Sequence, residues 1–421
     1  MRKLVVVVLV LALMSSMVFA QGAEEAGKSE VTMFWALYDG LTEDYRVNLQ
    51  DSFMAENPDI KMDIVPVPWD QMYDKLTTSL AGGTPPELSV IGTRWVLELM
   101  DMDAVAPIED YVSASTLNNI FDGTKEAIIN GKLMGLPIAA GARIMTINND
   151  ITKKVPATME ELRDEAIRIA KTTDKYGLIM PGKKHTELTD FAYYLYAAGG
   201  DFFEMAADGS YGKSAVNSAA GVKALEFMVD LASMDDVIPP GYLAQTRMEA
   251  HPIFYSGQAG YVMIGAWVVS AMEQAGSSFD YSFAQIPGFA GEKSAPLVIT
   301  DSIALFEEAD SKEAAGKFID FFYQDAWKAQ FDELVGFPPV TKSAAKLPQF
   351  QSDLYQALNA AAAIAKPWPL MNGFAEISDI IWDAVSLAYL GEKSPQEALD
   401  DAAAEIDEMR EIGRASCRER V

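Results

Sequence analysis

The chain has 421 residues, a formal net charge of −28 at neutral pH and a single cysteine. A surface this acidic repels nucleic acid and anionic lipid and disfavours anionic substrates. One cysteine cannot close an internal disulfide, so stability must come from apolar cores. The length is more than one core fills and points to two domains.

In chain order, Arg2 and Lys3 precede an unbroken apolar run over residues 4–14, and residues 15–20 turn small and end in Val18-Phe19-Ala20. This is the pattern of an export signal cleaved after Ala20. The run is shorter than the roughly 20 residues of a membrane span, and no cysteine stands near the cleavage point to carry a lipid. A soluble, periplasmic or otherwise extracytoplasmic product is therefore expected. Residues 21–30 read as a flexible leader.

From Val31 short apolar runs alternate with amphipathic segments, which is the signature of an α/β architecture. Strands are predicted over 31–35, 60–67 and 87–91, with helices over 44–56 and 73–81 between them. That βαβαβ order implies a mostly parallel sheet with ligands at the carboxyl ends of its strands. Further on, Thr158 with Glu161 predicts a capped helix reaching Lys171. A helix is expected over 217–232, a buried strand over 260–264, and a helix over 314–323 capped by Asp310 with Glu313. Ser394, Pro395 and Glu397 open a last helix. Pro287-Gly288 and the Gly336–Pro339 segment read as places where the chain passes between domains. The last eleven residues, 411–421, hold three arginines and the cysteine behind a strongly acidic stretch. They read as a translated sequencing adapter.

Catalytic signatures are sparse. His185 and His251 are the two histidines and lack metal-ligand spacing. Glycine-rich phosphate loops, HExxH and GxSxG are absent. Carboxylate pairs for glycoside hydrolysis occur by chance in so acidic a chain and read as solvated charge. No cofactor or metal is expected, and the protein is read as a non-enzyme.

The tryptophans carry more information. Trp35, Trp69, Trp95 and Trp267 follow or end strands, and Trp368 lies between two prolines. Indole faces at strand ends can stack on the C–H face of a sugar ring. Nearby Asp39, Asp70, Gln71, Thr93, Arg94, Glu187, Asp190 and Asn372 can hydrogen-bond hydroxyls, and Tyr38 beside Asp39 joins the candidate set.

These segments, in this order, resemble the family 1 extracellular solute-binding proteins. The likeness runs through Val31-Thr-Met-Phe-Trp35, Phe53-Met-Ala-Glu-Asn-Pro-Asp-Ile60, Leu80-Ala-Gly-Gly-Thr-Pro-Pro-Glu87 and Gly131-Lys-Leu-Met-Gly-Leu-Pro137. It continues through Ile147-Asn-Asn-Asp150, Pro156-Ala-Thr-Met-Glu-Glu161, Phe254-Tyr-Ser-Gly-Gln-Ala-Gly260 and Gly265-Ala-Trp267. The resemblance covers residues 31–410. It implies a two-lobe periplasmic binding protein of the class II type, each lobe a mostly parallel sheet flanked by helices. The lobes would comprise 31–140 with 301–341, and 141–300 with 342–410. Chain crossings would fall near 139–149, 300–301 and 339–342.

By the same resemblance Trp267 stacks on sugar, Asp39 binds a hydroxyl, and Thr93 and Trp95 line the cleft. Trp382 would be a further stacking residue, while Glu187, Asp190 and Tyr194 would add polar contacts from the second lobe. Where maltose binders carry a carboxylate after Gly-Leu-Pro, this chain offers Gly141 and then Arg143, so the sugar need not be maltose. Glu87, Ile147 and Met159 stand where the family usually has Asp, Tyr and Trp. The implied partners are a sugar and the membrane permease of an ABC importer, with the binding protein a monomer. A polyamine or other polar solute, or a secreted glycosidase or lyase, are the alternatives.

Overall fold

The computed structural model describes residues 29–38, 40–183, 189–206 and 210–419. The chain builds two sheets with helices packed around them. The first opens with β1 (Ser29–Leu37), α1 (Glu43–Glu56), β2 (Ile60–Pro68), α2 (Trp69–Ala81) and β3 (Leu88–Gly92). β1 pairs in parallel with β2 along its whole length and with β3 at Met33 and Phe34. Both faces of β1 are covered, which is why its sequence is almost continuously apolar. The strand begins two residues earlier than Val31, inside the expected leader, where Glu30 pairs with Lys61 across the sheet at 3.1 Å. α1 is capped by Thr42, whose hydroxyl accepts from the Tyr45 amide at 3.2 Å.

The chain then reaches β4 (Leu136–Ala142) in the first sheet and β5 (Ile144–Asn148) in the second, with Arg143 alone between them. α3 (Met159–Thr172) follows, with the predicted Thr158 cap accepting from the Glu161 amide. Next come β6 (Tyr176–Ile179), α4 (Thr189–Ala197), α5 (Ala219–Ala232), α6 (Arg247–Tyr255), β7 (Ala259–Ile264), α7 (Val268–Gln274) and β8 (Tyr281–Ala284). The second sheet has the order β8-β5-β7-β6 and mixes directions: β7 is parallel to β6, while β5 runs antiparallel to both neighbours.

β9 (Leu297–Phe306) brings the chain back. Its Leu297 and Ile299 belong to the core of the second sheet and its Ile303 to Phe306 to the core of the first. It runs antiparallel to β3 on one side and β4 on the other. α8 (Lys312–Phe322) and α9 (Asp325–Val335) cover the first sheet. The cap of α8 is Ser311, not Asp310, and makes no side-chain cap bond. α10 (Asp353–Ala362) lies against β4 of the first sheet and against β5 and β8 of the second, and Leu354, Leu358 and Ala361, spaced along one helical face, join the core that runs between them. The later helices α11 (Phe374–Tyr389) and α12 (Pro395–Glu419) pack on the second. Ser394 and Glu397 form the predicted capping box of α12, the Ser394 amide donating to Glu397 at 3.1 Å and the Glu397 amide to Ser394 at 3.3 Å. Arg410 near its end donates to the carbonyls of Gly212 and Tyr211.

Within the first core Lys328 and Asp332, one turn apart on α9, form a fully buried ion pair. Burial pushes the carboxyl up and the ammonium down, and each charge opposes the other's displacement. A lone buried charge is far more costly than the pair. Lys328→Met is therefore expected to cost about 3 kcal/mol in denaturant unfolding, and the double replacement Lys328→Met with Asp332→Leu to recover most of it.

Candidate ligand-binding cleft

The strands of both sheets end at one gap, as the rule for open α/β sheets requires. β1 runs out at Leu37 and Tyr38, β2 into Pro68, Trp69 and Asp70, and β3 into Arg94. From the opposite lobe come Lys183 after β6, Trp267 after β7, and the first turn of α6 with its cap, Thr246 to Glu249. Arg143, Ile299, Asp301 and Phe337 come from the connecting segments. Together they enclose a cavity of about 430 Å³, within the usual size of a small-molecule site.

Tyr38 sets one wall. Its ring stands edge-on to Trp69 at 5.4 Å and to Phe337 at 6.0 Å, and its hydroxyl donates to Asp301 at 3.1 Å. Burial, then the neighbouring Asp301 carboxylate, raises the phenol well above its ordinary range. It stays a protonated donor.

Trp267 sets the other wall, and two glycines explain its position. A Cβ on Gly265 would lie 1.9 Å from the indole ring, so the Gly-x-Trp spacing exists because the indole folds back over its own chain. Gly336 has φ +74°, and a Cβ there would meet the Ala266 carbonyl oxygen at 2.4 Å. Glycine alone lets the Phe337 segment approach this closely. The guanidinium carbons of Arg143 and Arg247 then lie 4.6 and 5.0 Å from the indole centroid. The Nε of Arg143 donates to the Tyr193 hydroxyl at 3.1 Å.

Of the sequence-predicted residues, Tyr38, Trp69, Asp70, Arg94, Arg143 and Trp267 line this cavity. Asp190 is partly buried within the fields of Arg143 and Arg247. Tyr194 is buried beside it against Phe227. Trp95 supports the wall from behind, 6.1 Å from Trp69 and 5.1 Å from Tyr73. Thr93 is buried against Ser302, their hydroxyls 2.7 Å apart.

The others lie elsewhere. Trp35 points into the first core, edge-on to Phe322 and Phe331, because β1 is central and the alternation of its side chains directs residue 35 under α8 and α9. Trp368 packs with Phe202 and Phe374 in the second core beside a separate void of about 20 Å³. Trp382 donates to the Gly182 carbonyl at 3.2 Å from α11. Asn372 is exposed and bridges to Asp101 at 2.6 Å. Asp39 and Glu187 lie outside the described residues. Sequence reasoning missed Lys183, Arg247, Glu249 and Phe337 as lining residues. The Thr246-x-x-Glu249 capping box was a readable signal for where α6 begins.

Among the described residues no group of three His, Cys, Asp or Glu is gathered that could hold a metal ion, and no helix is long and apolar enough to cross a membrane. A model of the bacterial extracellular solute-binding protein family matches residues 48–357. The chain belongs to that family. A binding protein of Brucella abortus is 32% identical over 400 residues, covering 91% of this chain and 94% of that protein. The galactooligosaccharide-binding protein of Bacillus subtilis is 24% identical over 363 residues, 82% of each chain. The maltose-bound structure of T. maritima MalE3 superposes with a TM-score of 0.80 at 22% identity, covering 90% of this chain and 100% of that one. The two share the two-lobe fold.

Two outcomes follow from these positions. Trp35→Ala removes a fully buried indole and is expected to cost about 3–5 kcal/mol of stability, while ligand affinity of the folded protein, measured by calorimetry, stays unchanged. Burial outweighs the nearby Arg247 and Arg143 and pushes the Asp190 carboxyl up to about 7. The folded state then holds a proton that the unfolded chain has released, so this group erodes stability as pH rises from the ordinary carboxylate range, about 4, to about 7. Asp190→Asn is expected to melt a few degrees above the parent at pH 7.5, with the gap closing toward pH 4.5.

Proposed function

We propose that the protein is the solute-capturing component of an ABC importer, holding a sugar or oligosaccharide in the cleft and presenting the closed form to a membrane permease. The observation that carries this reading is the cavity itself. It draws Tyr38 and Trp69 from one lobe and Trp267 from the other, with polar side chains between them. Apolar ring faces with a few directed hydrogen-bonding groups are what a polyhydroxylated ring needs. Relatives named for a galactooligosaccharide and for bound maltose support the same substrate class.

Closure supplies the mechanism. A ligand touching both lobes has extra affinity for the closed state and shifts the population toward it. The hydrogen bonds form and break with the sugar chemically unchanged, so the protein acts as a binder, not an enzyme. A polyamine finds no excess of negative charge in the cavity wall, where Asp70, Glu249 and Asp301 stand among Arg94, Arg143, Lys183 and Arg247. Export through a cleaved signal at residues 1–20 and a monomeric state in the extracytoplasmic space complete the proposal.

A thermal-shift screen over mono- and oligosaccharides tests it, because a ligand present at a hundredfold over its Kd stabilises the fold by about 2.7 kcal/mol. The bound sugar is expected to elute unaltered on chromatography, and small-angle scattering to show compaction at saturation. Trp267→Ala is expected to weaken binding at least about tenfold, the scale of a lost stacking contact with its supporting groups. Release of a cleaved sugar, or affinity unmoved in that variant, would refute the assignment.

A further inference from the structure

The indole that a bound sugar would stack on is already covered. Trp267 is 6% exposed, and the guanidinium carbons of Arg143 and Arg247 lie over its ring at 4.6 and 5.0 Å from the centroid. Both arginines also line the cavity. A pyranose needs an open ring face to stack on, so a covering group has to leave first.

The two arginines are held very differently. Arg143 is 2% exposed. Its amide is bonded to the Leu297 carbonyl at 2.8 Å and its Nε to the Tyr193 hydroxyl at 3.1 Å, at the junction of strands that belong to different sheets. Arg247 is the first residue of α6, where the capping box joins Thr246 to Glu249 and leaves the arginine side chain out. It is half-buried, and its Nε is buried with no acceptor among the described residues. Asp190 lies within the field of both arginines and so does not distinguish them. What holds Arg247 is its cation–π contact with the indole, a weak bond where water has access. Moving it into the cavity frees a buried donor from an unsatisfied position, whereas moving Arg143 breaks a hydrogen bond at the crossing.

Building on the sugar-binding reading, we propose that Arg247 is a gate for the stacking face: its planar guanidinium occupies Trp267 until a sugar ring displaces it. Apparent affinity is then lowered by the fraction of molecules whose indole is covered. The arrangement also selects. A solute without a flat C–H face gains nothing at the indole to offset the lost cation–π contact, so the arginine favours ring-shaped ligands over other small polar ones.

Acrylamide quenching of tryptophan emission in the full chain, without sugar, reads the cover directly. The chain has seven tryptophans, so Trp267 is isolated by subtracting the Trp267→Phe version of each protein. Its emission is expected to be poorly quenched in the parent and several times better quenched in Arg247→Ala. Titration of maltose, galactobiose and their longer oligomers, by calorimetry and stopped flow, reads the displacement. Arg247→Ala is expected to bind at least one of them about three- to tenfold more tightly than the parent, the scale of one cation–π contact. The gain should lie in the association rate, which a merely structural role would not raise. Arg247→Gln, neutral but still polar at the helix start, should move the same way. Unchanged quenching, or variants that bind sugar no more tightly than the parent, would overturn the gate and leave the sugar reading standing. No binding by any of these sugars to either protein would remove both.

Discussion

A single residue separates the two sheets where the chain first crosses. Arg143 follows the last residue of β4 and precedes the first of β5, its amide bonded to Leu297 at the start of the returning strand β9 at 2.8 Å. Because β4 and β9 are paired in the first sheet and Arg143 is tied to β9, the sheets cannot drift apart independently. Their strand ends are held facing one another, and the gap between them is the candidate site. The side chain at this junction also enters the site, so the residue that joins the lobes is one that ligand would touch.

The cleft gathers charges of both signs in a molecule that is acidic as a whole. Composition argued against an anionic partner, since the whole chain is strongly acidic. The folded chain places three arginines and a lysine around one cavity, interleaved with the carboxylates of Asp70, Glu249 and Asp301. Global charge governs long-range encounter and solubility, whereas a bound group responds to what lies within a few ångströms. Desolvation strengthens those near interactions while salt erases the distant ones.

Much of the fold was legible because it rests on local signals. The βαβαβ opening, the Thr158 and Ser394 caps and the buried strand before Gly265 follow from periodicity and capping chemistry, and the structure carries each within a few residues. The candidate site was legible where a residue ends a strand: Tyr38, Trp69 and Trp267 line the cavity because strand ends do. Trp35 went to the core because one position along a strand reverses the face a side chain takes, and a central strand offers apolar surroundings on both faces. Trp368 and Asn372 depended on where a long irregular segment runs, which neither spacing nor composition encodes. Arg247 and Phe337 were hidden for a related reason. Each sits far in sequence from its neighbours in the cavity and meets them only through the crossings.

Gly265 gives the arrangement an inherited fragility. The residue with no side chain governs three of the longest: any atom placed on its α-carbon displaces the indole of Trp267, and the indole is the surface on which both arginines rest. The glycine and the cationic pair therefore form one heritable unit. A lineage that replaced this glycine would have to move the indole, and with it one wall of the cavity would be rebuilt.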